Sequence, residues 1–274
     1  MPFENNYTLG RGEIYFARKD PVTGAMGGER YLGNTPSANL TAEEEKLEHF
    51  SSDRGIRVKD KVVTLQVNYT GTLEVDNIDY ENVALFFLGE TENLTIAQTT
   101  VASEQVGMTG IGVEKGMFYQ LGMTAANPAG AKGVIFPGAA GTLFALTRSG
   151  GGGGGALVHG TDYVVNAELG RVEILETSTV IQDGDLLTAT YTVAASTRRR
   201  VISGSTAVAG SLRYVAYNPE GEQIDYFMPS VTLSPNGDFA LKSDEWQVIP
   251  FNIDVTKRDA DTAAIYGEGR AMTV

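Results

Sequence analysis

A chain of 274 residues with 42% apolar and 20% charged residues is long enough to bury a sizeable core and has an ordinary globular make-up, which excludes disorder of the whole chain. No cysteine is present, and the two histidines, His49 and His159, cannot build a zinc site without several carboxylates, so disulfides, thiolate metal sites and cysteine catalysis are excluded. Twenty-one basic against 34 acidic residues leave a formal charge of −13, the wrong sign for gripping nucleic acid by phosphate neutralisation.

The start, MPFENNYTLGRGE, has neither a basic n-region nor an apolar h-region, and no run approaches the eighteen or so apolar residues of a membrane helix. The expectation is a chain without an export signal, in which the Asn-x-Ser/Thr triplets at Asn6, Asn39, Asn68 and Asn93 are chance. One domain spanning residues 1–274 is expected, because all-β architectures run past 200 residues as single units and no linker-like stretch divides the chain.

The first unusual segment is GNTPSANLTAEEEKLEHFSS at 33–52, which gathers Glu43, Glu44, Glu45 and Glu48 around Lys46 and His49. Thr41 to Glu44 fits a helix capping box, but the reading favoured here is a strand or extended loop. Next, VTLQVNYTGTLEVD alternates for thirteen residues or more. Val63, Leu65, Val67, Tyr69, Gly71, Leu73 and Val75 take one face, and Thr64, Gln66, Asn68, Thr70, Thr72, Glu74 and Asp76 the other. This predicts a strand of roughly 40 Å, half buried and half wet, more than twice the usual length. Such a strand projects beyond its own domain or serves a sheet shared with neighbours.

The period then changes. Tyr80, Val83, Ala84, Phe87 and Leu88 fall at helical spacing, with Asp79 as N-cap and Gly89 as C-terminal stop, predicting one helix of about three turns. From 94 to 160 the pattern weakens, since sixteen of the 33 glycines lie between Gly107 and Gly160. Short strands are expected at GMFYQL, KGVIF and TLFALT, and the six-glycine run at 150–155 reads as a mobile loop tip. No lysine followed by serine or threonine comes after that run, and GIGVEKG misses the dinucleotide fingerprint by one residue, so neither is taken as a nucleotide cradle.

Strands separated by turn chemistry follow: DYVVN, RVEILE after Gly170, DLLTATYTVA after Asp183-Gly184, LRYVAYN, QIDYFMPSVTL and EWQVIPFNIDV. Pro250 suggests a bulge or an edge position in the last, and Trp246, the single tryptophan, falls in core-like alternation. The fold class expected is mainly β: an antiparallel sandwich or half-barrel with one flanking helix and a long hairpin.

Chemistry-bearing constellations are sparse. Neither G-x-S-x-G nor H-E-x-x-H nor an EF-hand spacing occurs. Asp76, Asp79 and Glu81 could hold calcium, but as acids at a helix N-terminus they need no metal to explain them. His49 reads as a surface residue rather than a general base. Arg198, Arg199 and Arg200 form the only basic cluster, either a solvated loop or a contact for a neighbouring subunit's acids. An enzyme is not expected, nor any cofactor or metal.

The order of features suggests a family. ERYLGNTPSANLTAEEEKLEHFSS, the long alternating strand, DYENVALFFLGE, the unit DYVVNAELGRVEILE…IQDGDLLTATYT and the closing LRYVAYNPEGEQIDYFMPSVTLSPNGDFALKSDEWQVIPFNIDV resemble the major tail tube protein of long, non-contractile-tailed bacteriophages. The resemblance covers nearly the whole chain and rests on no invariant active site. It implies six subunits that pair strands into a closed ring with an inner β-barrel wall, and rings that stack into a hollow virion tail tube assembled in the host cytoplasm. Partners implied are other copies of the chain, a tape-measure protein, tail terminator and tip proteins, and double-stranded DNA passing without sticking; no membrane is involved. No appended immunoglobulin-like domain is expected after the last strand.

On this reading Gln66, Asn68, Thr70, Thr72 and Glu74 line the lumen, and an acidic wall lets DNA slide because no cation holds its phosphates. Glu43, Glu44 and Glu45 face the lumen or a ring-to-ring contact, opposite Arg198, Arg199 and Arg200. The competing readings are a tube subunit of a contractile tail or secretion needle, and a carbohydrate-binding β-sandwich.

Overall fold

A computed structural model describes residues 7–53, 55–136, 144–148 and 157–270. The chain opens with β1 (Gly12–Arg18), β2 (Arg30–Tyr31), β3 (Ser37–Ser51) and β4 (Val58–Val75), then α1 (Tyr80–Phe86) and β5 (Glu90–Ile96). There follow β6 (Thr99–Val106), β7 (Phe118–Gln120), β8 (Phe144–Arg148), β9 (Tyr163–Asn166), β10 (Arg171–Ile174) and β11 (Leu187–Val193). The last strands are β12 (Ser196–Ile202), β13 (Val208–Ala216), β14 (Ile224–Pro235), β15 (Ile249–Val255) and β16 (Tyr266–Gly269). The protein is therefore mainly β, with antiparallel sheets and, among the described residues, a single helix.

Where the sequence offers no linker and reads as one domain, the structure has two compact units, Met1–Glu92 with Arg199–Val274, and Asn93–Arg198. The division falls inside β5 and β12, which pair with each other. A crossing made by strands carries no Gly, Ser or Pro signature, so composition cannot mark it.

The first unit is built on one large antiparallel sheet in the order β2-β1-β13-β14-β15-β4-β3, with β16 added to β14. Alternation along the central strands sends Ile14, Phe16, Leu212, Met228, Leu233, Phe251, Ile253 and Leu73 into one core. Part of that face is covered by α1, whose Leu85 joins the core and whose Phe86 ring meets Phe239 and Phe251. At about 25 cal/mol per Å² of apolar surface, each such side chain fully buried contributes about 1.5–3 kcal/mol. Pro250 was expected at an edge or bulge. It lies one residue inside the start of β15, opposite Glu74 of β4 and one residue beyond the last β14 pair, Pro235–Phe251, a strand-start position where the missing N–H interrupts little of the ladder.

The helix begins as the sequence predicts, with the Asp79 carboxylate accepting the Asn82 N–H at 2.7 Å. Its end differs. Leu88, not Gly89, takes the left-handed φ of 54°; Leu88 N–H reaches the Leu85 carbonyl at 3.1 Å and Gly89 N–H the Ala84 carbonyl at 2.8 Å, the two bonds of a Schellman end. Gly89 is required for space, since a Cβ there would collide with the Ile202 carbonyl oxygen. Asn82, fully buried, ties this helix to the sheet. It donates to the Leu32 and Asn77 carbonyls, each at 2.8 Å, and accepts from Arg30 at 2.6 Å.

The second unit holds two three-stranded antiparallel sheets, β7-β10-β9 and β6-β11-β8. Val172, Ile174, Ile181, Leu187, Ala189 and Tyr191 meet in its core. Of the short strands expected here, GMFYQL contains β7 and TLFALT overlaps β8, whereas KGVIF provides only a bridge from Val134 to Val193. The near-fingerprint GIGVEKG forms a tight turn in which Gly112 packs directly on the Gly184 backbone, a steric use of glycine rather than a phosphate cradle. The run at 150–155 lies outside the described residues.

Candidate assembly interface

The acidic segment is a strand, as favoured over the capping-box helix, and with β4 it forms a hairpin that outgrows its sheet. β15 pairs with β4 only from Tyr69 to Val75. Residues 58–68 of β4 therefore pair with β3 alone, a two-stranded ribbon roughly 35 Å long at about 3.3 Å per residue. Both ribbon edges carry backbone N–H and C=O groups with no further strand beside them among the described residues.

Here the half-buried, half-wet expectation needs correction. From Val58 to Asn68 every residue is exposed, on both faces, and only from Tyr69 inward does burial rise. Leu47 is 59% exposed and Leu65 58%. Val62, Val63 and Val67 are exposed with them. An isolated two-stranded ribbon is marginal in water even without such apolar exposure, and open edges are templates for pairing with another chain.

The alternation is also interrupted. The register shifts between Glu45 and Lys46, leaving Leu65 as an extra residue on β4, and again between His49 and Phe50. Directly opposed residues share a face, so on the base side of the first bulge one face holds Ser37, Asn39, Thr41, Glu43 and Glu45 opposite Glu74, Thr72, Thr70, Asn68 and Gln66. β15 extends that face with Asn252 beside Thr72 and Asp254 beside Thr70. Beyond the bulge Val63 stands opposite Leu47, on the polar side rather than in one apolar row with Leu65 and Val67 as the periodicity implies. A bulge is invisible to a period-two count because it resets the phase.

The five residues expected to share a polar face, Gln66, Asn68, Thr70, Thr72 and Glu74, do so, and Gln66 donates to Asn68 at 2.6 Å. The glutamate run is split. Glu43 and Glu45 join them, while Glu44 opposes Val67 on the other side and takes the Lys46 ammonium at 2.8 Å. That hydrogen bond, followed by the lysine's charge, lowers the Glu44 pKa and raises that of Lys46. The base of the face carries four acids, Glu43, Glu45, Glu74 and Asp254, and no lysine or arginine on the β3, β4 and β15 positions just named. Among the described residues the cations of the hairpin, Lys46, Arg57, Lys59 and Lys61, all lie on the tip side of the first bulge.

The arginine triplet does not meet the glutamates. Arg199 pairs with Glu81 and Arg200 with Glu92, while Arg198 donates to Asn127 Oδ1 at 2.7 Å and to the Gly130 carbonyl at 3.0 Å. His49 is exposed and sits against Asp60 at 2.6 Å. Asp76 accepts from Asn34, Asp79 caps the helix and Glu81 serves Arg199 and Thr91, so the three acids are spent structurally. No group of three metal-ligating side chains occurs among the described residues.

One surface residue was misplaced by the sequence pattern. Trp246 is 94% exposed, because residues 236–248 form a loop between β14 and β15 rather than an extension of β15. SPNGD before it and Pro250 after it carry the turn signals that mark such a loop.

Residues 7–127 match a family model described as "Protein of unknown function UCP028589". A comparison with curated proteins finds no match. The matched segment contains the whole β3–β4 hairpin and α1.

Proposed function

We propose that this chain is a structural virion protein: a subunit that assembles into stacked, six-membered rings forming the hollow tail tube of a long, non-contractile-tailed bacteriophage. The observation that carries the reading is the β3–β4 ribbon, which leaves its sheet with two open edges and exposed apolar residues on both faces. Pairing with neighbouring copies satisfies those edges, and closing the shared sheet into a barrel removes the edges altogether. The chain order and phrasing that resemble tail tube proteins point the same way.

In such a ring the face bearing Glu43, Glu45, Gln66, Asn68, Thr70, Thr72 and Glu74 lines the bore. Hydroxyl, amide and carboxylate groups hold water and offer DNA phosphates no cation, so the genome slides during ejection. A tape-measure protein fills the bore beforehand, and terminator and tip proteins close the two ends. A glycan-binding sandwich accounts for less: Trp246 is exposed, but it stands on a loop with no aromatic ring against it among the contacts of the described residues.

Negative-stain microscopy of the purified protein tests the proposal. Six-fold rings or hollow tubes are the expected result. A species that stays monomeric at every concentration and ionic strength contradicts it.

A further inference from the structure

The turn of the β3–β4 hairpin and the loop 236–248 between β14 and β15 stand at opposite ends of β4. Ile249, which follows the loop, pairs with Val75 at the end of that strand, whereas Ser51 pairs with Val58 at its start. The two ends are about 56 Å apart along the strand at 3.3 Å per residue. Trp246 precedes Ile249 by three residues and so lies within about 10 Å of it. No copy can bring its own Trp246 to its own hairpin turn without folding β4 back on itself.

Both ends hold large apolar side chains in water. At the turn, Ile56 is 84% exposed with Val58 exposed beside it; at the loop, Leu241 is 80% exposed with Trp246. Their charges are of opposite sign. The turn end holds Arg57, Lys59 and Lys61 against Asp53 and Asp60. Lys59 pairs with Glu48 and Asp60 with His49, which leaves Arg57 and Lys61 without a carboxylate partner among the described residues. The Arg57 guanidinium lies over the Phe50 ring, 5.1 Å from its centroid. The loop carries Asp238, Asp244 and Glu245 against one lysine, Lys242, and none of these acids has a cation against it among the described residues.

We propose that the hairpin turn of one copy, through Ile56, Arg57 and Lys61, docks on the Trp246 loop of a second copy, making the end-to-end contact that stacks one ring on the next. This rests on the tube reading above and names the two surfaces by which rings meet. The patches differ and lie at opposite ends of one strand, so the contact is heterologous and repeats instead of closing into a two-fold dimer. A tryptophan face is the best aromatic partner for a guanidinium or ammonium, and an apolar centre ringed by opposite charges fixes both partner and orientation. A turn meeting a turn, or a loop a loop, sets like charges together. Ile56 and Arg57 lie outside the strand pairs, so side-by-side pairing of β3 and β4 leaves them free.

Charge exchange in the full-length protein tests the contact. One variant carries Arg57→Glu with Lys61→Glu, a second Asp244→Lys with Glu245→Lys, and a third all four changes; every position is exposed, so no core contact is removed. The chain has a single tryptophan, so its intrinsic fluorescence reports on this loop alone. Wild-type emission is expected to move to shorter wavelength and to lose access to acrylamide on going from rings to tubes. The first two variants are each expected to raise the concentration needed for tubes at least about tenfold, with single rings persisting in negative stain, and the combined variant to return it to within about threefold of wild type. Tubes at wild-type concentration from either of the first two, no recovery in the combined variant, or emission unchanged between rings and tubes overturn the docking contact while leaving the tube reading intact. A wild-type chain that forms neither rings nor tubes overturns both.

Discussion

Leu47 and Val63 stand directly opposite one another on β3 and β4, just beyond the bulge, with no strand or core behind them among the described residues. An exposed cross-strand apolar pair on a free ribbon contributes little to the subunit that carries it, and its burial must come from another molecule. Replacing both by threonine keeps the β propensity and is expected to change the unfolding free energy of the isolated subunit by less than about 0.5 kcal/mol, measured by denaturant titration. The same double variant is expected to abolish assembly. Equal loss of stability and assembly would place the pair inside the subunit's own packing.

The acidic face makes an electrostatic prediction. Glu43→Lys with Glu45→Lys converts two carboxylates per subunit into cations on the proposed bore wall. Tubes of the variant are expected to retain short double-stranded DNA at low ionic strength and to release it steeply as salt rises, whereas wild-type tubes retain none in co-sedimentation. DNA binding by both, or by neither, contradicts a lumen-facing position.

Asn82 provides a prediction independent of assembly. Its side chain is fully buried, donates two hydrogen bonds and accepts one, so Asn82→Ala leaves the Leu32 and Asn77 carbonyls without that partner. A loss of about 3 kcal/mol is expected. Asp79→Ala, which removes the helix cap and the longer, half-exposed contacts with Arg30 at 3.4 Å and Asn77 at 3.3 Å, is expected to cost about 1 kcal/mol. Thermal unfolding of the two variants checks the ranking.

Acid should loosen the C-terminal strand first. The Arg270 hydrogen bond, at 3.0 Å, lowers the Asp225 pKa below its ordinary 3.8, so the folded state binds this proton less well than the unfolded chain. The resulting stabilisation is complete above the unfolded value and disappears as pH falls through the depressed folded one. Both side chains are partly exposed, so screening keeps the pair below about 1 kcal/mol. Amide exchange of β16, which pairs with β14 around Asp225, is expected to quicken below about pH 4 in wild type and to be insensitive to that range in Asp225→Asn.

Much of the architecture was legible because its signals are local. The long strand announced itself by thirteen alternating residues, and the helix by Asp79 and its 3.6-residue period. What escaped was set by phase and by tertiary space. The bulge at Leu65 moves Val63 onto the other face without altering composition, and the crossing between units is made by ordinary strand sequence at β5 and β12. Gly89 looked like a left-handed helix stop, yet the collision with Ile202 that demands glycine there comes from a residue far along the chain. Trp246 carried a strand-like neighbourhood, and only the pairing of β15, which begins at Ile249, shows that the strand starts after it. The exposure of the hairpin's apolar residues was likewise beyond a periodicity argument, which says which residues share a face but not whether anything lies against it.

The central claim is that the free edge of β3 pairs with another copy of the chain. Hydrogen exchange of the β3 amides in dispersed subunits and in the assembled state tests it most directly. The account predicts that, on assembly, the amides of β3 that point away from β4 become strongly protected, while those already bonded to β4 change little. Assembled material in which the outward β3 amides exchange as fast as in the free subunit would contradict it.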